Sequence, residues 1–184
     1  GFVGPSTTLM GNAWVYFDQM AQITGAVEKL TQISYHRYGQ VSNANLQAIA
    51  DRAVAHGIET AHLEHIASGL ADLYDDLTIG RNSSWARFVV ASHITDNGGY
   101  FYVDPTGTTP VITLSNETRY LRQYFLNVRR GAVRVGATST DAAVRPLAFV
   151  NADQRPVVVV NASAGRDFSI SGLAAGTYGV RYAT

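Results

Sequence analysis

Cysteine is missing altogether from these 184 residues, so disulfide staples and thiolate chemistry are excluded and the redox compartment carries no mark. An excess of charge of either sign is missing as well. Fourteen Lys and Arg balance fourteen Asp and Glu, which removes the basic surplus that a nucleic-acid face normally shows. No run approaches the roughly 18 consecutive apolar residues that a membrane-spanning helix needs. The chain is also too short for a complete eight-stranded β/α barrel, which takes about 250 residues, so one domain or slightly more is expected. What remains is ordinary globular material, 46% hydrophobic and 15% charged, sufficient for a core.

The first half of the chain alternates strand-like and helix-like patterns. Phe2-Val3-Gly4-Pro5-Ser6 reads as a strand ending in a turn, and Trp14, Phe17 and Ala21 then recur at helical spacing. A strand over residues 32–38 follows. Ser42 or Asn43 is placed to cap a helix whose Leu46, Ile49, Ala50, Ala53 and Val54 make one apolar stripe, with Gly57 as its stop. Residues 58–63 are the next strand, 69–85 an acidic and partly helical stretch, and 87–93 a further short strand. Strands joined by helical crossovers require a parallel sheet.

The character changes near residue 95. Asp96-Asn97-Gly98-Gly99 is a turn signal, Tyr100-Phe101-Tyr102-Val103 a strand, and residues 118–128 a helix with Tyr120, Leu121, Tyr124, Phe125 and Val128 on one face. From Gly131 onward short β runs cover residues 132–135, 144–150, 157–161, 168–170 and 177–182, separated by turns such as Asn151-Ala152-Asp153. That is an all-β, sandwich-like tail.

Chemically able side chains gather at two strand ends. Ile33-Ser34-Tyr35-His36-Arg37-Tyr38-Gly39 and Ile58-Glu59-Thr60-Ala61-His62-Leu63-Glu64 each deliver polar groups at the C-terminal end, where parallel α/β proteins build their sites. Glu64 is therefore the first candidate for chemistry. His62, Glu64 and His65 lack the helical His-Glu-x-x-His spacing of a zinc site, and Asp72, Asp75 and Asp76 lack calcium-loop spacing, so no metal is expected and the three aspartates read as a solvated face. Gly4-Pro5-Ser6 is no phosphate loop, and the sequons at Asn82, Asn116 and Asn161 are weak matches that carry no meaning outside a eukaryotic secretory route.

Tyr35-His36-Arg37-Tyr38, followed by a helix and then a strand ending in Glu64, resembles strands six and seven of the glucosylceramidase-like clan of retaining glycoside hydrolases, whose β/α barrels carry two catalytic glutamates. Tyr120-Leu121-Arg122-Gln123-Tyr124-Phe125 and Arg130-Gly131-Ala132-Val133-Arg134-Val135 are similar to that clan's last barrel helix and first sandwich strand, and Ala148-Phe149 and Val157-Val158-Val159-Val160-Asn161 fit the same sandwich. The resemblance implies an α/β plus all-β fold: half of a β/α barrel, strands five to eight, over residues 1–130, then an incomplete β-sandwich-like domain over 131–184. It implies that Glu64 is the nucleophile, that Tyr38 hydrogen-bonds it, and that His36 lies near the bound sugar. After strand eight the clan places a sugar-stacking aromatic, and His93 stands there.

The second carboxyl that such an enzyme requires ends strand four after an Asn, a strand expected upstream of Gly1, as is any targeting segment; Asn116-Glu117 lies far beyond the barrel strands. The implied function is the C-terminal part of a retaining glycoside hydrolase without its acid/base. The alternative is a non-catalytic carbohydrate-binding or structural module on the same scaffold. The expected partners are carbohydrate and either a second copy or the missing barrel half, with no cofactor, nucleic acid or membrane.

Overall fold

Four short strands build the first sheet: β1 (Phe2–Thr7), β2 (Leu30–Tyr35), β3 (Glu59–His62) and β4 (Ser84–Trp85). They lie in chain order and every pair is parallel. Parallel neighbours need long returns, and α1 (Met10–Met20), α2 (Asn43–His56) and α3 (Leu70–Thr78) supply them. In this computed structural model, which describes residues 1–94 and 98–183, the chain divides into two compact units, Gly1–Glu117 and Thr118–Thr184.

Local chemistry explains the helices. Ser42 has extended backbone and its hydroxyl accepts from the Asn45 amide at 3.1 Å, satisfying one of the free N–H groups at the start of α2. Gly57 closes the helix at φ 65°, a conformation that costs glycine nothing. Between them Leu46, Ile49, Ala50 and Ala53 are buried, joining Met10, Ala13, Phe17, Ile33 and Tyr35 in the core between α1, α2 and the sheet. Val54, expected in the same stripe, is 59% exposed, because one residue beyond Ala53 turns the side chain about 100° around the helix. The two helices are tied at their surface by Arg52. It grips Asp18 through two nitrogens at 2.6 Å each and lies 4.6 Å over the Trp14 ring.

At the start of α3, Asp72 accepts from the Gly69 amide at 3.1 Å and Glu117 accepts from the Leu70 amide at 2.5 Å. A Cβ at Gly69 would meet the end of the Glu117 side chain, which would have to shift to admit it.

The run 87–93, expected as the next strand of the parallel sheet, does not take that place. β4 does, and the pairing with β3 ends with Ala86 N bonded to His62 O at 3.1 Å. The chain then turns away at buried Arg87, and Val89–Ser92 (β5) joins Gly99–Asp104 (β6) and Val111–Leu114 (β7) in a separate sheet, order β5-β6-β7. Of the expected turn, Asp96 and Asn97 lie outside the described residues.

The second unit takes up α4 (Asn116–Asn127) from Thr118 onward, then β8 (Val133–Val135), β9 (Val144–Val150) and β10 (Pro156–Ala162), an antiparallel sheet in the order β10-β9-β8. Within it Leu121, Tyr124, Val144, Leu147, Phe149 and Val159 are buried. The buried stripe of α4 runs Thr118, Leu121, Tyr124 at steps of three, which leaves Tyr120 and Phe125 about two-fifths exposed, against expectation. Asn151 opens the β9–β10 turn and ties it to the end of α4, donating to Asn127 O and accepting from Arg129 N, each at 2.9 Å. The expected strands at 168–170 and 177–182 do not form. Both runs are apolar at alternate positions, but neither pairs with a strand among the described residues, and their side chains stand in solvent, Val180 at 87% and Tyr182 at 84% exposure. Among the described residues no helix is long and apolar enough to cross a membrane.

Candidate active site

The parallel register sets the site. Tyr35 pairs with His62, and one step further Leu63 N donates to Tyr35 O at 3.0 Å, so the segments leaving β2 and β3 start level. They carry His36, Arg37 and Tyr38 on one side and Glu64 and His65 on the other. Tyr38 Oη donates to Glu64 Oε1 at 3.2 Å, the hydrogen bond expected of these two residues. Burial and then the Glu64 carboxylate push the Tyr38 phenol above its ordinary range, so it remains a donor at neutral pH. Glu64 is half-buried, an oriented carboxylate with access from solvent.

His36 stacks on Tyr38, ring centroids 6.1 Å apart and planes 29° apart. Its Nδ1 lies 3.0 Å from the Thr7 carbonyl, which can only accept; the proton is therefore assigned to Nδ1 and the Nε2 lone pair stays open. The structure thus brings His36, Tyr38 and Glu64 together. His93 is exposed and lies just beyond β5, a strand of the other sheet.

Beneath these groups lies a buried polar cluster. Asp76, on α3, is fully buried and accepts from Arg37 at 3.0 to 3.2 Å, from Tyr35 Oη at 2.7 Å and from Trp85 Nε1 at 2.9 Å; Arg37 also reaches Asp72 at 2.7 Å. Burial pushes the Asp76 carboxyl up, against the pull of Arg37, Tyr35 and Trp85. The Asn82 carboxamide satisfies its surroundings with its oxygen toward His62 N and Tyr35 Oη and its nitrogen toward Thr60 Oγ1 and Gly80 O. This corrects the solvated reading of Asp72 and Asp76, and the Asn82 side chain of the sequon is buried while Ser83 and Ser84 are exposed. The available signal was the spacing of four between Asp72 and Asp76, which puts both on one helix face toward a single cation.

His62 sits 5.8 Å from the Tyr35 ring and 5.3 Å from the Trp85 ring, and it is 1% exposed. Burial first, then Arg37, His65 and His36, hold its pKa down to about 3; the Glu64 backbone pulls weakly the other way, but neither ring nitrogen reaches hydrogen-bond geometry. His62 is therefore a neutral packing group, separate from Glu64. Among the described residues no three His, Asp or Glu gather as a metal site would require.

No protein-family model and no curated protein matches this chain. Solved structures do match. The catalytic domain of GH30 xylanase C from Talaromyces cellulolyticus is similar with a TM-score of 0.64 at 15% identity, over 87% of this chain and 38% of that one. SrfJ from Salmonella typhimurium is similar with a TM-score of 0.66 at 16% identity, over 84% and 38%. This chain therefore spans 38% of the length of each. The fold is mixed α/β with several sheets, like that of a GH30 catalytic domain.

Proposed function

We propose that residues 1–130 are the C-terminal half of a β/α barrel, strands five to eight, and residues 131–184 part of a β-sandwich-like domain, together the C-terminal portion of a retaining glycoside hydrolase. The Tyr38–Glu64 hydrogen bond at adjacent strand ends of a GH30-like fold carries this reading. Glu64 is the nucleophile: one carboxylate oxygen attacks the anomeric carbon as the glycosidic C–O bond breaks, leaving a covalent glycosyl-enzyme that water then opens. Tyr38 aims the carboxylate, and His36 offers its open Nε2 to a sugar hydroxyl. His93 is proposed as a more distant sugar contact, carried by the resemblance alone.

The acid/base comes from outside residues 1–184. Glu117, the one carboxylate after an Asn, is engaged on the Leu70 amide. The same reading makes β1 the edge at which the missing half, or a second copy, associates.

An activated fluoroglycoside needs little proton assistance to leave, so it tests Glu64 without the acid/base. Incubated with a panel of dinitrophenyl 2-deoxy-2-fluoroglycosides, the chain is expected to carry a sugar adduct on the Glu64 peptide by mass spectrometry, and Glu64→Gln none. Sugar binding without an adduct would overturn the nucleophile and favour a non-catalytic carbohydrate-binding module.

A further inference from the structure

His65, next to Glu64, is used by no step above. Its ring meets Tyr38 edge-on, centroids 4.9 Å apart and planes at 73°, while His36 stacks on the same ring. Tyr38 is 38% exposed, so burial alone leaves its ring free to swing, and a stacked neighbour restrains tilt more than rotation within the plane. The Ile66 backbone also hydrogen-bonds the Tyr38 hydroxyl, and the edge contact adds the restraint on the ring itself. His65 is itself anchored: its Nδ1 lies 3.0 Å from the Oγ of fully buried Ser68. The backbone of that turn is held in its own right by buried Arg87, which donates to the carbonyls of Ser68 at 2.9 Å, Ile66 at 3.4 Å and Gly99 at 2.9 Å, and to Ser115 Oγ at 3.4 Å. A buried guanidinium bonded to neutral oxygens of several segments is a clamp on their backbone rather than an ion pair.

We propose that His65 is a positioning residue for the nucleophile: braced by Ser68 and the Arg87-held turn, its ring sets the direction in which the Tyr38 hydroxyl points at Glu64. The proposal rests on the reading of Glu64 as nucleophile only for its catalytic consequence. The positioning itself is a property of the free protein.

Two measurements keep these apart. In protein labelled with ¹³Cζ-tyrosine, the Tyr38 resonance is the one lost in Tyr38→Phe. At neutral pH it is expected to move in His65→Ala in the same direction as in Glu64→Gln, and to return in His65→Phe, which restores a ring edge; thermal melting identifies any variant that fails to fold. A Tyr38 resonance unmoved in folded His65→Ala, or equally moved in His65→Phe, would overturn the proposal. With the fluoroglycosides, labelling of Glu64 is expected to slow about tenfold in His65→Ala and no further when His65→Ala is added to Tyr38→Phe. Additive losses would show that His65 acts independently of Tyr38, which also overturns it. A wild-type chain that fails to label while the resonance behaves as stated would sink the nucleophile and leave the positioning role intact.

Discussion

Asp76 and His62 show how burial changes what a side chain does. Asp76 is fully buried with Arg37 as counter-ion, whereas Asp18, paired with Arg52, has its side chain 46% exposed. A buried charge left without its partner is costly while a surface pair is worth little, so Arg37→Met is expected to lower unfolding stability by about 3–5 kcal/mol and Asp18→Ala by no more than about 1 kcal/mol. Urea titrations of the two variants check the contrast. His62 sets a pH dependence: the unfolded chain takes up a proton near pH 6.5, but the folded chain refuses it until about pH 3. Stability is therefore full above pH 6.5 and falls as the pH drops through that window, by at most about 1.4 kcal/mol per pH unit from this residue. The same titrations repeated from pH 7 to pH 4 should show the slope, with His62→Phe visibly flatter over that range; equal slopes would place the acid sensitivity elsewhere.

Elements follow local rules where those rules are strong and depart from them where a partner is needed. The cap and stop of α2 were legible, and its stripe was too except for Val54, because each depends on a few residues within one helix. Ser42→Ala is expected to cost about 0.5–2 kcal/mol, Ile49→Ala about 2–5 kcal/mol, and Val54→Ala close to nothing, three values that thermal or urea melts would separate. β4 shows the opposite case. Ser84–Trp85 has no strand-like pattern, yet it completes the parallel sheet, while the apolar run beginning at Val89 goes to another sheet. A strand is defined by hydrogen bonds to a neighbour, and two residues suffice when the neighbour is β3.

For the molecule as a whole, β1 presents an open edge, with Phe2 70% and Val3 44% exposed on it. Unpaired edges with apolar side chains recruit further strands. The chain is accordingly expected to elute in size-exclusion chromatography with light scattering above its monomer mass of 19.8 kDa, and Val3→Lys to shift it toward that mass. A wild-type monomer at low micromolar concentration would show that the edge is covered in some other way.

The alternation of strand and helix, the helix caps and the two chemically able strand ends were legible in the chain, since each is written in neighbouring residues and in the periods of 2 and 3.6. The Tyr38–Glu64 pairing was legible only through the family resemblance: Tyr35 pairs with His62, so Tyr38 lies three residues and Glu64 two beyond the paired positions, and spacing alone would not have matched them. What the chain did not disclose is which polar residues are buried together. Arg37, Asp76 and Trp85 come from three separate segments, and His65 matters through a ring contact with Tyr38. The missing strands at 168–170 and 177–182 belong with these. Burial, ring geometry and strand pairing depend on residues far apart in sequence, and they acquire values only when the sheet and its helices close around one another.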